Sequence, residues 1–319
     1  MSASDHHDHH EGGHTRRHAL ECMIWAGTGI LWTVSGGVPR SLSLLDRAEA
    51  AEAGATGFTF LQISDSHIGF DKAANPHAID TLQEAIGKVR GLPVRPAFMI
   101  HTGDITHLSK PGEFDDAARI IGSAGLDVHY VPGEHDVIDE ANGKAYLDRY
   151  GRGARGAGWY SLDQNGVHFI GLVNVVNLRA GGLGILGADQ LAWLADDLKG
   201  VSASTPIVVF AHIPLWTVSA EWGWGTDDGA QVLALLRRFG SVTVLNGHIH
   251  QIMQKVEGNV TFHTARSTAF PQPVPGTAPS PGPLVVPPGE LRNLLGVTNV
   301  SVTRGQERLA IVDTTLAGH

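Results

Sequence analysis

Cysteine is almost absent: Cys22 is the only one in 319 residues. That excludes an intramolecular disulfide and any cysteine-based zinc cluster. Positive charge is also scarce, with 23 Lys plus Arg against 32 Asp plus Glu and a formal net charge of -9. Such a chain has no electrostatic grip on a phosphate backbone, so nucleic acid is not expected as a partner. Long apolar runs are missing too. The best candidate, 23–38, is about sixteen residues diluted by Gly27, Gly29, Gly36 and Gly37, short of the roughly twenty that cross a bilayer. A stable membrane anchor is therefore not expected. What is present is 42% hydrophobic residues, enough for a sizeable core, with 40 glycines and 18 histidines. Neutral imidazole is the commonest transition-metal ligand, so the placement of those histidines carries information.

One group, His6, His7, His9, His10, His14 and His18, lies in the first eighteen residues and reads as a solvated tail. Arg16-Arg17 stands just before the apolar stretch, and 48–53 offers small-residue A-x-A cleavage sites. That order resembles a Tat export signal. Cys22 precedes the apolar stretch, so it is not placed as a lipoprotein cysteine. The expectation is that 1–53 is a signal and linker, recognised by the Tat translocon and removed, and that 54–319 is a periplasmic domain.

Downstream, apolar runs alternate with amphipathic stretches. Strands are expected at 58–63, 98–100, 128–131, 167–172, 207–210 and 242–245, and helices at 76–90, 113–122, 189–198 and 230–239. Leu82, Ala85, Ile86 and Val89, for example, recur at helical spacing. The alternation implies an α/β fold with helices on both faces of the sheet structure. Beyond His250, 253–257 and 260–264 read as a hairpin across Gly258-Asn259. The Pro/Gly-rich segment 270–288 cannot be a central strand or a helix interior, and is expected to wrap the domain edge. A closing hairpin is expected from 300–302 and 309–312.

The strands end in polar clusters: Asp65-Ser66-His67, Gly103-Asp104, Gly133-Glu134-His135-Asp136, Ala211-His212 and Gly247-His248-Ile249-His250. An α/β sheet gathers its site at such carboxyl ends. The donors are nitrogen and oxygen only, which suits Zn, Fe or Mn better than Cu(I). In extended backbone, residues i and i+2 face the same way, so Asp65 with His67, and His248 with His250, can each aim two donors at one cavity. Gly103, Gly133 and Gly247 fit sharp turns beside the ions.

Five such segments in this order resemble the calcineurin-like metallophosphoesterase family, whose pattern runs D-x-H, G-D, G-N-H-D or G-N-H-E, H, then G-H-x-H. The resemblance covers about two-thirds of the chain and implies layered sheets flanked by helices, an α/β/β/α sandwich. It implies that Asp65, His67 and His250 hold one ion, that His212 and His248 hold the other, and that Asp104 bridges them. The ions would be divalent or mixed-valence Fe, Mn or Zn. His135, at the position of the family's non-ligand histidine, would protonate the leaving oxygen. Two ions roughly 3.5–4 Å apart lower the pKa of a shared water, so that hydroxide attacks the phosphoester.

The family's asparagine is Glu134 here. As a ligand, it would hold the second ion harder while weakening attraction for an anionic substrate. Gly103-Asp104-Ile105-Thr106-His107 lacks the D-R-G of phosphoprotein phosphatases, and His107 stands where purple acid phosphatases have a tyrosine, which makes it a substrate-contacting or ligand-supporting candidate. The expectation is an exported hydrolase of small phosphomonoesters or phosphodiesters. Alternatives are an exported metal-binding protein with a weak or altered centre, and a metallohydrolase of a non-phosphate substrate. His101, His77, His129, His168 and His263 read as structural. Trp216, Trp222 and Trp224 read first as packing and second as a pocket wall.

Overall fold

The computed structural model describes residues 57–139, 141–303 and 309–318, together with the backbone of two short antiparallel strands, β1 (Thr33–Ser35) and β2 (Val38–Arg40). Those two belong to a separate N-terminal unit, Met1–Ala50. Arg16-Arg17, Cys22 and the expected cut near Ala53 lie outside the described residues.

In the larger unit, the expected strands fall into two sheets. The first contains β3 (Gly57–Ile63), β4 (Met99–His101) and β5 (Val128–Tyr130), all parallel. The second contains β6 (Tyr160–Gln164), β7 (Val167–Gly171), β8 (Ile207–Ala211), β9 (Val242–Asn246), β10 (Gln254–Glu257) and β11 (Val260–Thr264). Its order is β10-β11-β9-β8-β7-β6, parallel except for the two edge strands. The Gly258-Asn259 hairpin forms as expected, and its second strand also extends the parallel sheet beside β9.

Period-two alternation assigns each side chain a layer. Along β8, Val208 and Phe210 point to the other sheet, whereas Ile207, Val209 and Ala211 point to helices. Between the sheets, Phe60 stacks on Phe98 at 5.1 Å, and Phe169 meets both edge-on. Outside the first sheet lie α1 (Ala78–Arg90), α2 (Pro111–Gly122) and α3 (Lys144–Tyr150). Outside the second lie α4 (Ala188–Leu198) and α5 (Gly229–Leu236). The α/β/β/α sandwich is therefore present.

Several boundaries differ from expectation. Helix α1 starts at Ala78, not residue 76, because the Asn75 carboxamide oxygen captures the His77 N–H at 3.0 Å and holds a turn before the helix. The short polar elements β6 and α3 carry too little apolar periodicity to be seen in the sequence. The closing hairpin is deeper than expected: β12 (Gly296–Thr303) lies antiparallel against β3, and β13 (Ala310–Thr315) then forms the edge.

His263 and His168 have the structural roles expected of them. His263 on β11 meets Asp313 of β13 at 3.1 Å and so ties the two sheets. His168 on β7 places its ring nitrogens 2.8 Å from Asp163 and 2.9 Å from Asp197, pinning the β6–β7 hairpin to α4. Burial lowers the His168 pKa, but the two carboxylates outweigh it and raise the value above 6.5. Burial raises Asp197, and His168 outweighs that, leaving it below 3.8. The ion pair therefore contributes most between those two ordinary values. It fades as pH rises through the raised His168 value or falls through the lowered Asp197 value. His168→Asn should cost roughly 1 kcal/mol in urea unfolding at about pH 6 and distinctly less at about pH 9.

Candidate metal centre

Every candidate ligand follows a parallel strand: Asp65 and His67 follow β3, Asp104 follows β4, His212 follows β8, and His248 and His250 follow β9. Glu134 and His135 sit in a single 3-10 turn, Glu134–Asp136, after β5. The sheets thus deliver all of them to one end of the sandwich.

The convergence is as expected, but the backbone reason is not extended geometry. Among the described residues, eight non-glycine positions have positive φ, and five of these are Asp65, His67, Asp104, His248 and His250. Left-handed turns rather than pleated alternation aim the paired donors inward. Each such turn costs on the order of 1 kcal/mol or more and persists only where its surroundings enforce it. The enforcing contacts are visible. The His67 N–H donates to the Asp104 carbonyl at 2.9 Å, the His135 N–H to Asp104 Oδ1 at 2.9 Å, and the His248 N–H to Asp65 Oδ1 at 3.1 Å. The glycines are needed for room, and Gly103, with φ of 94°, for its conformation as well. A Cβ on Gly133 would lie 2.1 Å from Asp104 Oδ1, and one on Gly247 would lie 2.6 Å from Asp65 Oδ2.

The donors form two groups. Asp65, His67 and His250 are mutually close, as are Glu134, His212 and His248, and Asp104 lies between them. Its Oδ2 is 3.4 Å from both His67 Nε2 and His212 Nε2. Imidazole tautomers follow from the outer contacts. His212 Nδ1 donates to the Thr102 carbonyl at 2.7 Å, and His250 Nδ1 donates to the Phe270 carbonyl, leaving both Nε2 lone pairs inward. His250 Nε2 is 3.3 Å from His67 Nε2 and 3.2 Å from Asp65 Oδ1. Glu134 completes the second group, with Oε2 3.0 Å from His212 Nε2 and Oε1 2.9 Å from His248 Nδ1. Glu134 Oε2, His212 Nε2 and both His248 ring nitrogens are buried without hydrogen-bond geometry. Acceptors crowded in this way, with no donor aimed between them, fit a cation.

The electrostatics agree. Burial opposes charge on Asp65, yet His250 and His212 outweigh it and bring the carboxyl to about 2. Burial should lower the His212 pKa, but Asp104 and Glu134 raise it well above 6.5. A field strong enough to protonate a buried imidazole would equally stabilise a metal ion there.

His135 also lies within reach of the donor set, close to Asp104 and Glu134 and to His67 and His107. Its Nδ1 donates to the His107 carbonyl at 2.7 Å, and its ring stacks on His107 at 4.9 Å and meets His67 edge-on at 4.8 Å. His107 thus supports His135 from beside the site. His101 is structural: Nδ1 accepts the Gly103 N–H at 3.2 Å, so Nε2 carries the proton donated to Ser66 at 2.8 Å. Trp224 is buried against Trp222, and Trp216 packs on Phe262, so the packing role holds.

Two contributors escaped the sequence reading. Asp136 accepts the N–H groups of Gly133, Ile105 and Thr106 and the Thr106 hydroxyl, clamping the Glu134–Asp136 turn to the Asp104 loop. Only its place beside Gly133-Glu134-His135 could have signalled that. Phe270 opens the Pro/Gly-rich segment and lies 4.7 Å from both His67 and His250, so this segment floors the site instead of merely wrapping an edge. Nothing in its local sequence announces that contact.

A family model described as calcineurin-like phosphoesterase matches residues 58–252. The chain belongs to that family. Among curated members, it is 25% identical over 196 residues to the glycerophosphodiester phosphodiesterase GpdQ of Enterobacter lignolyticus, covering 60% of this chain and 69% of the relative. It is 25% identical over 248 residues to a cAMP/cGMP dual specificity phosphodiesterase of Mycobacterium tuberculosis, covering 72% and 73%. A dimetal phosphatase from Danio rerio shares the fold, with a TM-score of 0.60 and 15% identity over 82% of this chain and 97% of that one. For a calcineurin-like phosphoesterase, divalent metal ions are implied, and the His/Asp clusters described above could bind them.

Because Asp136 acts through the turn it clamps, Asp136→Ala should weaken metal binding by about tenfold or more without removing a ligand. Titration calorimetry with Mn(II) and Zn(II) measures this directly.

Proposed function

We propose that this protein is an exported binuclear-metal hydrolase of phosphoesters. The observation that carries the reading is the convergence of Asp65, His67, Asp104, Glu134, His212, His248 and His250, with inward lone pairs left unpartnered. Asp65, His67 and His250 would hold one ion, Glu134, His212 and His248 the other, and Asp104 would serve both. Bound metal would polarise the phosphoryl group and supply a nucleophilic water at neutral pH. The residues around it then orient and exclude. His135, with Nδ1 committed to the His107 carbonyl, keeps Nε2 for the leaving oxygen and acts as the general acid. The phosphodiesterase relatives support phosphoester substrates.

Export rests on Arg16-Arg17 ahead of the apolar stretch. Replacing both with lysine should leave the precursor uncleaved inside the cell, as read by fractionation and blotting. Export of the Lys-Lys variant at the normal rate would remove the Tat assignment.

The activity test uses mature protein loaded separately with Mn, Fe and Zn and assayed on a phosphomonoester and a phosphodiester chromogen. Turnover should appear with at least one metal. Two bound ions with no turnover on either ester would favour a metal-binding protein with an altered centre, the reading that Glu134 motivates. His135→Gln should lower kcat by about 10²–10⁴ while elemental analysis finds the metal content unchanged. Loss of metal together with activity would instead make His135 a ligand.

A further inference from the structure

We infer that Glu134 makes this centre selective for singly charged phosphodiesters over doubly charged phosphomonoesters. The inference rests on the metal-centre reading above and assigns that site its substrate class. Three carboxylates, Asp65, Asp104 and Glu134, enter the donor set, and among the described residues their ion-pair partners are all histidines. No Lys or Arg among the described residues forms an ion pair with any of them, so no cationic side chain neutralises these carboxylates by direct contact. With neutral imidazoles, two divalent ions exceed three carboxylates by one positive charge, and a hydroxide nucleophile cancels that remainder. A neutral side chain at Glu134 would restore it.

Glu134 is also the most exposed of the seven donors. Its side chain is 26% exposed and that of His248 is 12% exposed, whereas those of Asp65, Asp104, His67, His212 and His250 are 2% exposed or less. It shares its turn with the candidate acid His135, so a phosphoryl group presented to His135 lies beside the Glu134 carboxylate. Repulsion from that carboxylate scales with substrate charge. A phosphomonoester above its second ionisation carries an additional negative charge, and one extra charge a few ångströms away changes affinity by roughly tenfold at an interfacial dielectric.

The test uses dimethyl phosphate and methyl phosphate, which differ by one charge at about pH 8, as non-chromogenic probes. Binding to the Mn(II)-loaded full mature chain is measured by calorimetry, with metal content determined on the same samples. In the wild type, dimethyl phosphate should bind at least as tightly as methyl phosphate. In Glu134→Gln, methyl phosphate should gain about tenfold in affinity and dimethyl phosphate much less. Tighter wild-type binding of methyl phosphate overturns the inference, even if the variant fails to fold. An equal change for both probes in a fully loaded variant also overturns it. Wild-type protein that retains none of Mn(II), Fe(II) and Zn(II), each offered separately, overturns the metal-centre reading instead, and this inference falls with it.

Discussion

Lone pairs that face one another without a proton between them must be held together by something else. His67, His212, His248 and His250 direct ring nitrogens toward a space bounded by three carboxylates, and their outward nitrogens are in part already committed to backbone carbonyls. Left to themselves, these groups would repel or recruit protons, as the raised value of His212 shows. The rest of the site exists to resist that tendency. Left-handed turns at five of the candidate ligand positions, glycines packed against carboxylates, and backbone N–H groups donated to Asp65 and Asp104 all hold acceptors closer than they would otherwise settle.

The sandwich supplies the necessary stiffness. Parallel strands buried on both faces end at the same level, so loops from two sheets meet without long excursions. Phe60, Phe98 and Phe169 lock the sheets face to face, and cross-sheet polar ties add direction to that packing. Gln62 donates to the Asn246 carbonyl at 3.1 Å, joining the strand before Asp65 to the strand before His248. The two halves of the donor set are therefore registered by side chains immediately beneath them.

Much of this was legible in the sequence because strand ends and ligand motifs are local signals. Asp65, His67, Asp104, Glu134, His212, His248 and His250 stand in strand-end clusters that are plain in the sequence, the family resemblance implies their role as ligands, and the structure brings them together. Their backbone conformations could not be read so easily, since an aspartate or histidine at positive φ leaves no mark in composition. Asp136 and Phe270 lack a local signal for a related reason: one acts through hydrogen bonds to another loop, and the other returns to the site only after the β10–β11 hairpin. The edge elements β6 and α3 escaped because half-exposed polar segments lack the periodicity that buried ones display.

The position of β12 has a temporal consequence. Phe60 pairs with Val300 across the antiparallel β3–β12 ladder, so the strand that carries Asp65 completes its hydrogen bonding only when nearly the whole chain has been synthesised. A contact of such sequence separation forms late and slowly. Until it does, one edge of β3 is open and the first half of the donor set lacks its neighbour. Strands far along the chain thus complete the sheet edge directly beneath the earliest of the donor segments, so that segment is only as firm as a pairing made across more than two hundred residues.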